Sequence, residues 1–315
     1  MDKISVIVPC YNEQEVLPYF IEKINEVMQE LAEVQFELVF VDDGSKDETL
    51  SILREFSRKY DYVRYLSFSR NFGKESALFA GLEKATGDYI AVMDADLQDP
   101  PELLIEMYHT LINEDYDCVA TRRSTRKGEP VIRSFFAKMF YSFINKISDT
   151  EIVDGARDFR LMTRQMTDSI LRVTECNRFS KGIFSWVGFN TKWLEYENVE
   201  RKAGETKWSF WKLLLYSFEG IVGFSTKPLA LASIMGIFIS FVAFCSLIVI
   251  VIKTLIFGDP VAGWPSMVSI ICMVSGIQLL CMGVIGQYLA KTYLEVKRRP
   301  IYIVKEDELS SKKNK

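Results

Sequence analysis

The chain has 315 residues, 49% of them hydrophobic and 25% charged, with a formal net charge of -4, which is too long for one small domain and too ordinary for a disordered or collagen-like chain. The charge is unevenly placed: residues 1–120 carry 10 Lys and Arg against 25 Asp and Glu, residues 121–228 carry 19 against 12, and residues 229–315 carry 9 against 5. An acidic head argues against nucleic acid as a partner, because a nucleic-acid binder shows its basic footprint on the folded part.

His109 is the only histidine, which excludes Ser-His-Asp, Cys-His and multi-histidine metal chemistry. The six cysteines include no CxxC pair, so they form neither a zinc site nor a disulfide framework. Catalysis is left to carboxylates, Lys, Arg, Tyr or a metal held by oxygen.

In chain order, apolar strand-like runs fall at Ile4 to Val8, Leu38 to Val41, Val63 to Phe68, Tyr89 to Met93 and Cys118 to Ala120. Helix-periodic segments lie between them near Tyr19 to Leu31, Glu48 to Tyr60, Ser76 to Ala85 and Glu102 to Ile112. Asp47 can cap the second helix, and Pro100 and Pro101 open the fourth. This alternation predicts an α/β fold with a mostly parallel sheet covered on both faces. Ligands of such sheets collect at the C-terminal strand ends. There the first strand runs into Pro9-Cys10-Tyr11-Asn12-Glu13, the second into Asp42-Asp43-Gly44-Ser45 and the fourth into Asp94-Ala95-Asp96-Leu97-Gln98-Asp99.

Three acidic clusters at neighbouring strand ends, without a GxGxxG or GxxxxGK[ST] loop, point to a nucleotide diphosphate held through a divalent cation. Asp94 and Asp96 can both reach one hard ion, and Gln98 adds a neutral oxygen at the next alternate position. Such oxygen ligands suit Mg2+ or Mn2+.

After the fifth strand come Arg122, Arg123, Arg126, Lys127 and Arg133, then an aromatic-rich amphipathic stretch from Phe135 to Ile144. Arginine grips phosphate in a bidentate way, and Arg122 and Arg133 are the expected phosphate ligands of this stretch. Residues 207–228 interleave Trp208, Phe210, Trp211, Phe218 and Phe224 with Lys207 and Lys212. That mixture suits an amphipathic juxtamembrane helix, with an aromatic-faced core helix as the other reading.

Residues 229–252 and 266–290 are uncharged runs of 24 and 25 residues, each long enough to cross a hydrocarbon core of about 30 Å. The connection 253–265 holds one Lys and one Asp, whereas Lys227, Lys291, Lys297, Arg298 and Arg299 flank the outer ends. The positive-inside rule therefore places the head (residues 1–206) and the tail (residues 291–315) in the cytoplasm, with 253–265 outside. The strand-like start, with no charged region leading an apolar stretch, predicts that no signal peptide is present. The expectation is a multi-pass inner-membrane protein, its spans an anchor. Gly236, Ser240, Ser275, Gly276 and Gly283 would let helices approach closely, as in a homo-oligomer packed through the spans.

The strings VIVPCYNE, VDDGSKDET, RNFGKESA, GDYIAVMDADLQDPPE, DFRLM and RKAGETKWS resemble those of the family 2 glycosyltransferases. They are most similar to the polyisoprenyl-phosphate branch, which includes dolichol-phosphate mannose synthases and bactoprenol glucosyltransferases. The motifs span residues 4 to about 210, and the tail is similar to that of the bactoprenol group. The resemblance implies a GT-A fold and inverting transfer of one sugar from a nucleotide donor to a polyprenyl phosphate. It implies that Pro9, Tyr11, Glu13 and Asp43 hold the base and ribose, and that Asp94, Asp96 and Gln98 bind metal and diphosphate. Arg201 and Lys207 match a basic motif near the donor phosphates, although Thr206-Lys207-Trp208 replaces the usual Ser-Lys-Tyr. Asp158 matches a carboxylate acting as base or acceptor-positioning group, with Arg157 before it where small residues are common.

The acceptor chemistry fits. A phosphate monoester, with a second pKa near about 6, is largely a dianion at neutral pH and needs little activation. Departure of the nucleoside diphosphate does need help, from a metal at Asp94 and Asp96, which leaves Asp158 positioning as readily as general-base work. Glucose from UDP-glucose is the favoured donor by similarity to the two-span group, with mannose, N-acetylglucosamine and other hexoses open. The competing readings are a processive polysaccharide synthase, disfavoured by only two spans and no QxxRW string, and a non-catalytic membrane adaptor, disfavoured by the retained Asp94, Asp96, Asp158 and Arg201.

Overall fold

The computed structural model describes residues 1–123, 153, 155–196, 227–257 and 263–308. An eight-stranded sheet organises the head: β1 (Lys3–Cys10), β2 (Gln35–Asp42), β3 (Val63–Phe68), β4 (Tyr89–Val92), β5 (Cys118–Arg123), β6 (Ala156–Thr163), β7 (Thr191–Tyr196) and β8 (Val304–Asp307). Its order is β7-β5-β6-β4-β1-β2-β3-β8. β1 pairs in parallel with β2 and β4, β2 with β3, and β5 with β7. β6 is antiparallel to both neighbours and β8 is antiparallel to β3, so the sheet is mixed and less purely parallel than the strand–helix alternation suggested.

The central strands are nearly continuous apolar runs because both faces are covered. On one face Val6, Val8, Leu38 and Phe40 pack with α1 (Leu17–Glu30), α2 (Thr49–Lys59) and α4 (Leu103–Asn113) through Phe20, Leu53 and Met107. On the other, Ile7, Ile90 and Val92 meet α3 (Lys74–Lys84), α5 (Arg164–Leu171) and α6 (Ser180–Trp186). Contact between α3 and β1 is close enough to require glycine: a Cβ on Gly81 would stand 2.2 Å from Ile7 Cγ2. The N-terminal edge of the sheet closes on Glu37, whose buried carboxylate accepts from Ser5 Oγ at 2.6 Å and from the Thr86 amide at 2.9 Å.

The helix-opening signals act much as read. The Asp47 carboxylate takes the amide of Thr49, the first residue of α2, and the carbonyls of Pro100 and Pro101 accept from Leu103 and Leu104 at the start of α4.

Two long helices follow, α7 (Lys227–Phe257) and α8 (Trp264–Val296). They overlap both uncharged runs and extend beyond them. Among the described residues one segment, Met273–Val296, is long and apolar enough to cross a membrane, and the apolar stretch Ala232–Ser246 in α7 is shorter.

The chain then comes back to the head. The amide of Cys176 donates to Glu295 Oε1 near the end of α8 at 2.8 Å. β8 extends the sheet beyond β3, Glu306 forms a two-point ion pair with Arg54 at 2.8 and 2.6 Å, and Tyr302 stacks on Phe68 with ring centres 5.0 Å apart. Residues 301–308, read from sequence as part of a plain tail, are in this sense part of the head.

Candidate active site

β2, β1 and β4 are adjacent and parallel, so the three acidic clusters emerge side by side from one edge of the sheet. The first two are stitched together. Ser45 Oγ accepts from the Asn12 amide, Asn12 Oδ1 from the Lys46 amide and Thr49 Oγ1 from the Glu13 amide, all at 2.9–3.0 Å. Pro9, Tyr11 and Glu13 are half-buried along this seam. Asp42 turns inward, accepting from Ser67 Oγ and the Ser45 amide.

Asp43 is buried and uses both oxygens on the loop after β3, accepting from the Phe72 amide at 2.6 Å and the Gly73 amide at 2.9 Å. Burial pushes its pKa up to about 6, against the pull of these two donors. Gly73 has φ +98, a conformation that L residues rarely adopt, and it delivers Lys74 as the first residue of α3.

Beyond β4, burial alternates. Ala95, Leu97 and Asp99 are buried, whereas Asp94, Asp96 and Gln98 are half-buried. The three predicted metal-site residues thus share the more open side of this segment. Leu97 has φ +53, and Asp96 Oδ1 accepts from the Gln98 amide at 3.2 Å.

Antiparallel pairing of β6 with β4 sets Val92 against Arg160, and carrying that register on by two residues brings Asp158 level with Asp94. Lys74 bridges the two: its Nζ lies 2.7 Å from Asp94 Oδ1 and 2.5 Å from Asp158 Oδ2. Partial desolvation by the surrounding strands would by itself lower the Lys74 pKa, although 44% of the side chain stays exposed, but Asp158 and then Asp94 outweigh it and raise the pKa well above the ordinary value.

Burial would likewise raise the Asp158 pKa, but Lys74 and Lys181, with help from Arg160, hold it well below the carboxylate range. Lys181 Nζ donates to the Ala156 carbonyl at 3.0 Å, and the buried Arg160 lies 3.7 Å over the Phe184 ring.

Arg157 does not crowd Asp158. Its Nε donates to Asp99 Oδ1 at 2.8 Å and its Nη2 to Gln98 Oε1 at 3.1 Å, while Tyr196 donates to the same Asp99 oxygen. At Cys10 the neighbouring charge is negative: burial first, then the carboxylates of Glu13, Asp42, Asp94 and Asp47, raises its pKa.

Residues 5–171 match the model of the glycosyl transferase family 2. A prophage bactoprenol glucosyl transferase homolog of Escherichia coli (strain K12) is 44% identical over 306 residues, covering 96% of this chain and 98% of its own. A bactoprenol glucosyl transferase of Shigella phage SfV is 43% identical over 309 residues, covering 97% and 99%. The chain belongs to glycosyl transferase family 2.

Its mixed α/β sheet is the GT-A-like arrangement of a family 2 glycosyltransferase. Within it Asp94 and Asp158 are brought to one cation, with Asp96 and Gln98 on the same open segment. Arg122 is engaged elsewhere, paired with Glu195 of β7. Arg133, Arg201 and Lys207, expected at the phosphates, and residues 126–127, 135–144 and 207–226 lie outside the described residues.

Among the described residues no three His, Cys, Asp or Glu side chains gather as a ready metal cluster. The donor set nonetheless fits a hard cation that also takes oxygens from a diphosphate, since Mg2+ binds through one or two carboxylates plus substrate phosphate.

Lys74, Lys181 and Arg160 had no role read from sequence. Lys74 was visible only as part of RNFGKESA, and its meaning depends on the β4–β6 register.

Proposed function

We propose that this glycosyltransferase moves a hexose, glucose from UDP-glucose, onto undecaprenyl phosphate at the cytoplasmic face of the membrane, with inversion at the sugar. The observation that carries the reading is the meeting of Asp94 and Asp158 at Lys74, with Asp96 on the same half-buried segment as Asp94, in a chain 43–44% identical, over nearly its whole length, to proteins named bactoprenol glucosyl transferase.

In this reading Pro9, Tyr11, Glu13 and Asp43 seat the nucleoside, and Arg201 and Lys207 approach its phosphates. Asp94, Asp96 and Gln98 hold Mg2+ or Mn2+, which when bound neutralises charge on the departing nucleoside diphosphate.

Asp158 positions the acceptor. Its depressed pKa, set by Lys74 and Lys181 against the effect of burial, makes it a weak base, and an acceptor already present as a dianion has no proton that must be removed. Arg133 and Arg122 meet the acceptor phosphate; for Arg122 this requires exchanging Glu195 for phosphate, which is feasible at an exposed pair.

The helices α7 and α8 form a membrane hairpin with the head and both termini in the cytoplasm. The return of Glu295 and β8 to the head supports an even number of crossings. The hairpin keeps the head beside a lipid acceptor that never leaves the bilayer and offers a surface for homo-oligomers.

The test is a panel of nucleotide sugars offered with undecaprenyl phosphate to the full chain in detergent, reading nucleotide release. UDP-glucose should be turned over fastest, only with the lipid present, and not in EDTA. Faster turnover of GDP-mannose or UDP-N-acetylglucosamine would replace glucose as the sugar.

A further inference from the structure

Lys74 occupies a place that no catalytic expectation assigned to it. Its ammonium lies between a carboxylate of the proposed metal site and the carboxylate proposed to orient the acceptor. That place is built by the backbone: Asp43 fixes the amides of Phe72 and Gly73, and Gly81 lets α3 lie directly on Ile7.

The two carboxylates do not depend on Lys74 equally. Asp158 has Lys181 and Arg160 as further cations, whereas Lys74 is the cation bonded to Asp94 among the described residues. The cluster is also open to solvent, the Lys74 side chain being 44% exposed and that of Asp94 26%, so an ion from solution can reach it.

We infer that Lys74 is the resident counter-ion of the metal site, held on Asp94 until a divalent cation displaces it and then retained by Asp158, where its freed N–H groups face the phosphates. The inference rests on the metal reading of Asp94 and Asp96. Both charges seek the same carboxylate, so a unit positive charge beside the site opposes entry of the ion. Lys74 is therefore a positioning cation that weakens metal binding in the empty enzyme and supports transfer in the loaded one. A residue that merely shaped the site would not change the two in opposite directions.

The experiment titrates Mn2+ alone into the full chain in detergent, following the electron paramagnetic resonance signal of the free ion, for the wild type, Lys74→Met, Lys74→Arg and Asp94→Asn. Removing a unit charge a few ångströms away predicts about tenfold tighter Mn2+ binding in Lys74→Met. Turnover of UDP-glucose with undecaprenyl phosphate should fall in the same variant, and Lys74→Arg should keep Mn2+ affinity close to that of the wild type. Lys74→Gln carries the same test should the methionine variant not fold. Unchanged or weaker Mn2+ binding in the neutral variants, with Asp94→Asn binding weakly, would overturn the role of Lys74 and leave the metal reading intact. Wild-type Mn2+ affinity in Asp94→Asn would overturn the metal reading and this inference with it.

Discussion

The Asp-x-Asp segment reads as a site because of what lies either side of it. Ala95 and Leu97 are buried and apolar whereas Asp94 and Asp96 are half-buried, an alternation of apolar and acidic residues visible in the sequence. Asp158 and Arg157 were harder to read, because adjacent strand residues point to opposite faces. The structure uses that rule: Arg157 turns to Asp99 and Gln98 while Asp158 turns to Lys74. Lys74 could not be assigned from sequence at all, since its partners lie 20 and 84 residues away and meet only through the sheet. For Asp96→Ala we expect transfer to fall about a hundredfold or more. The melting temperature should move by no more than about 2 °C, as for a half-exposed side chain outside the core. Unimpaired turnover in a folded variant would remove the metal assignment.

Among elements, the four strands that carry the parallel centre were legible because burial on both faces makes them apolar runs. β6 was not, because ARDFRLMT mixes charged and apolar residues and enters between β4 and β5 from a distant part of the chain. β8 was less visible still: VKED has no apolar alternation, and it is held by Glu306 on Arg54, by Tyr302 on Phe68, and by the backbone. Deleting residues 301–315 should uncover Phe68, now 1% exposed, and cost up to about 1.5–3 kcal/mol, the range for fully burying one large apolar side chain. Thermal unfolding and amide exchange of β3 read this directly: a melting temperature and exchange rates equal to those of the intact chain would show that β8 does not brace the sheet.

At the scale of the molecule, the acidic head and basic remainder seen in the sequence correspond to two tasks. In the proposed reading the acidic edge of the sheet would take the cation and the sugar nucleotide, and the basic residues that follow the head in sequence would meet a lipid phosphate. The docking of Glu295 and β8 ties the end of α8 to the same body that carries Asp94 and Asp158, so the helices and the site are linked at two points along the chain, before α7 and after α8. This second attachment is not legible in the sequence, because it depends on a short polar strand whose partner, β3, lies more than two hundred residues earlier.

The central claim, that one hexose is placed on a polyprenyl phosphate, is tested most directly by the product itself. The full chain would be incubated with UDP-glucose, undecaprenyl phosphate and Mn2+, and the lipid extract analysed by mass spectrometry. A single hexose per lipid phosphate, absent when EDTA is added, is the predicted result. Sugar polymer, or UDP release with no lipid-linked hexose, would contradict it.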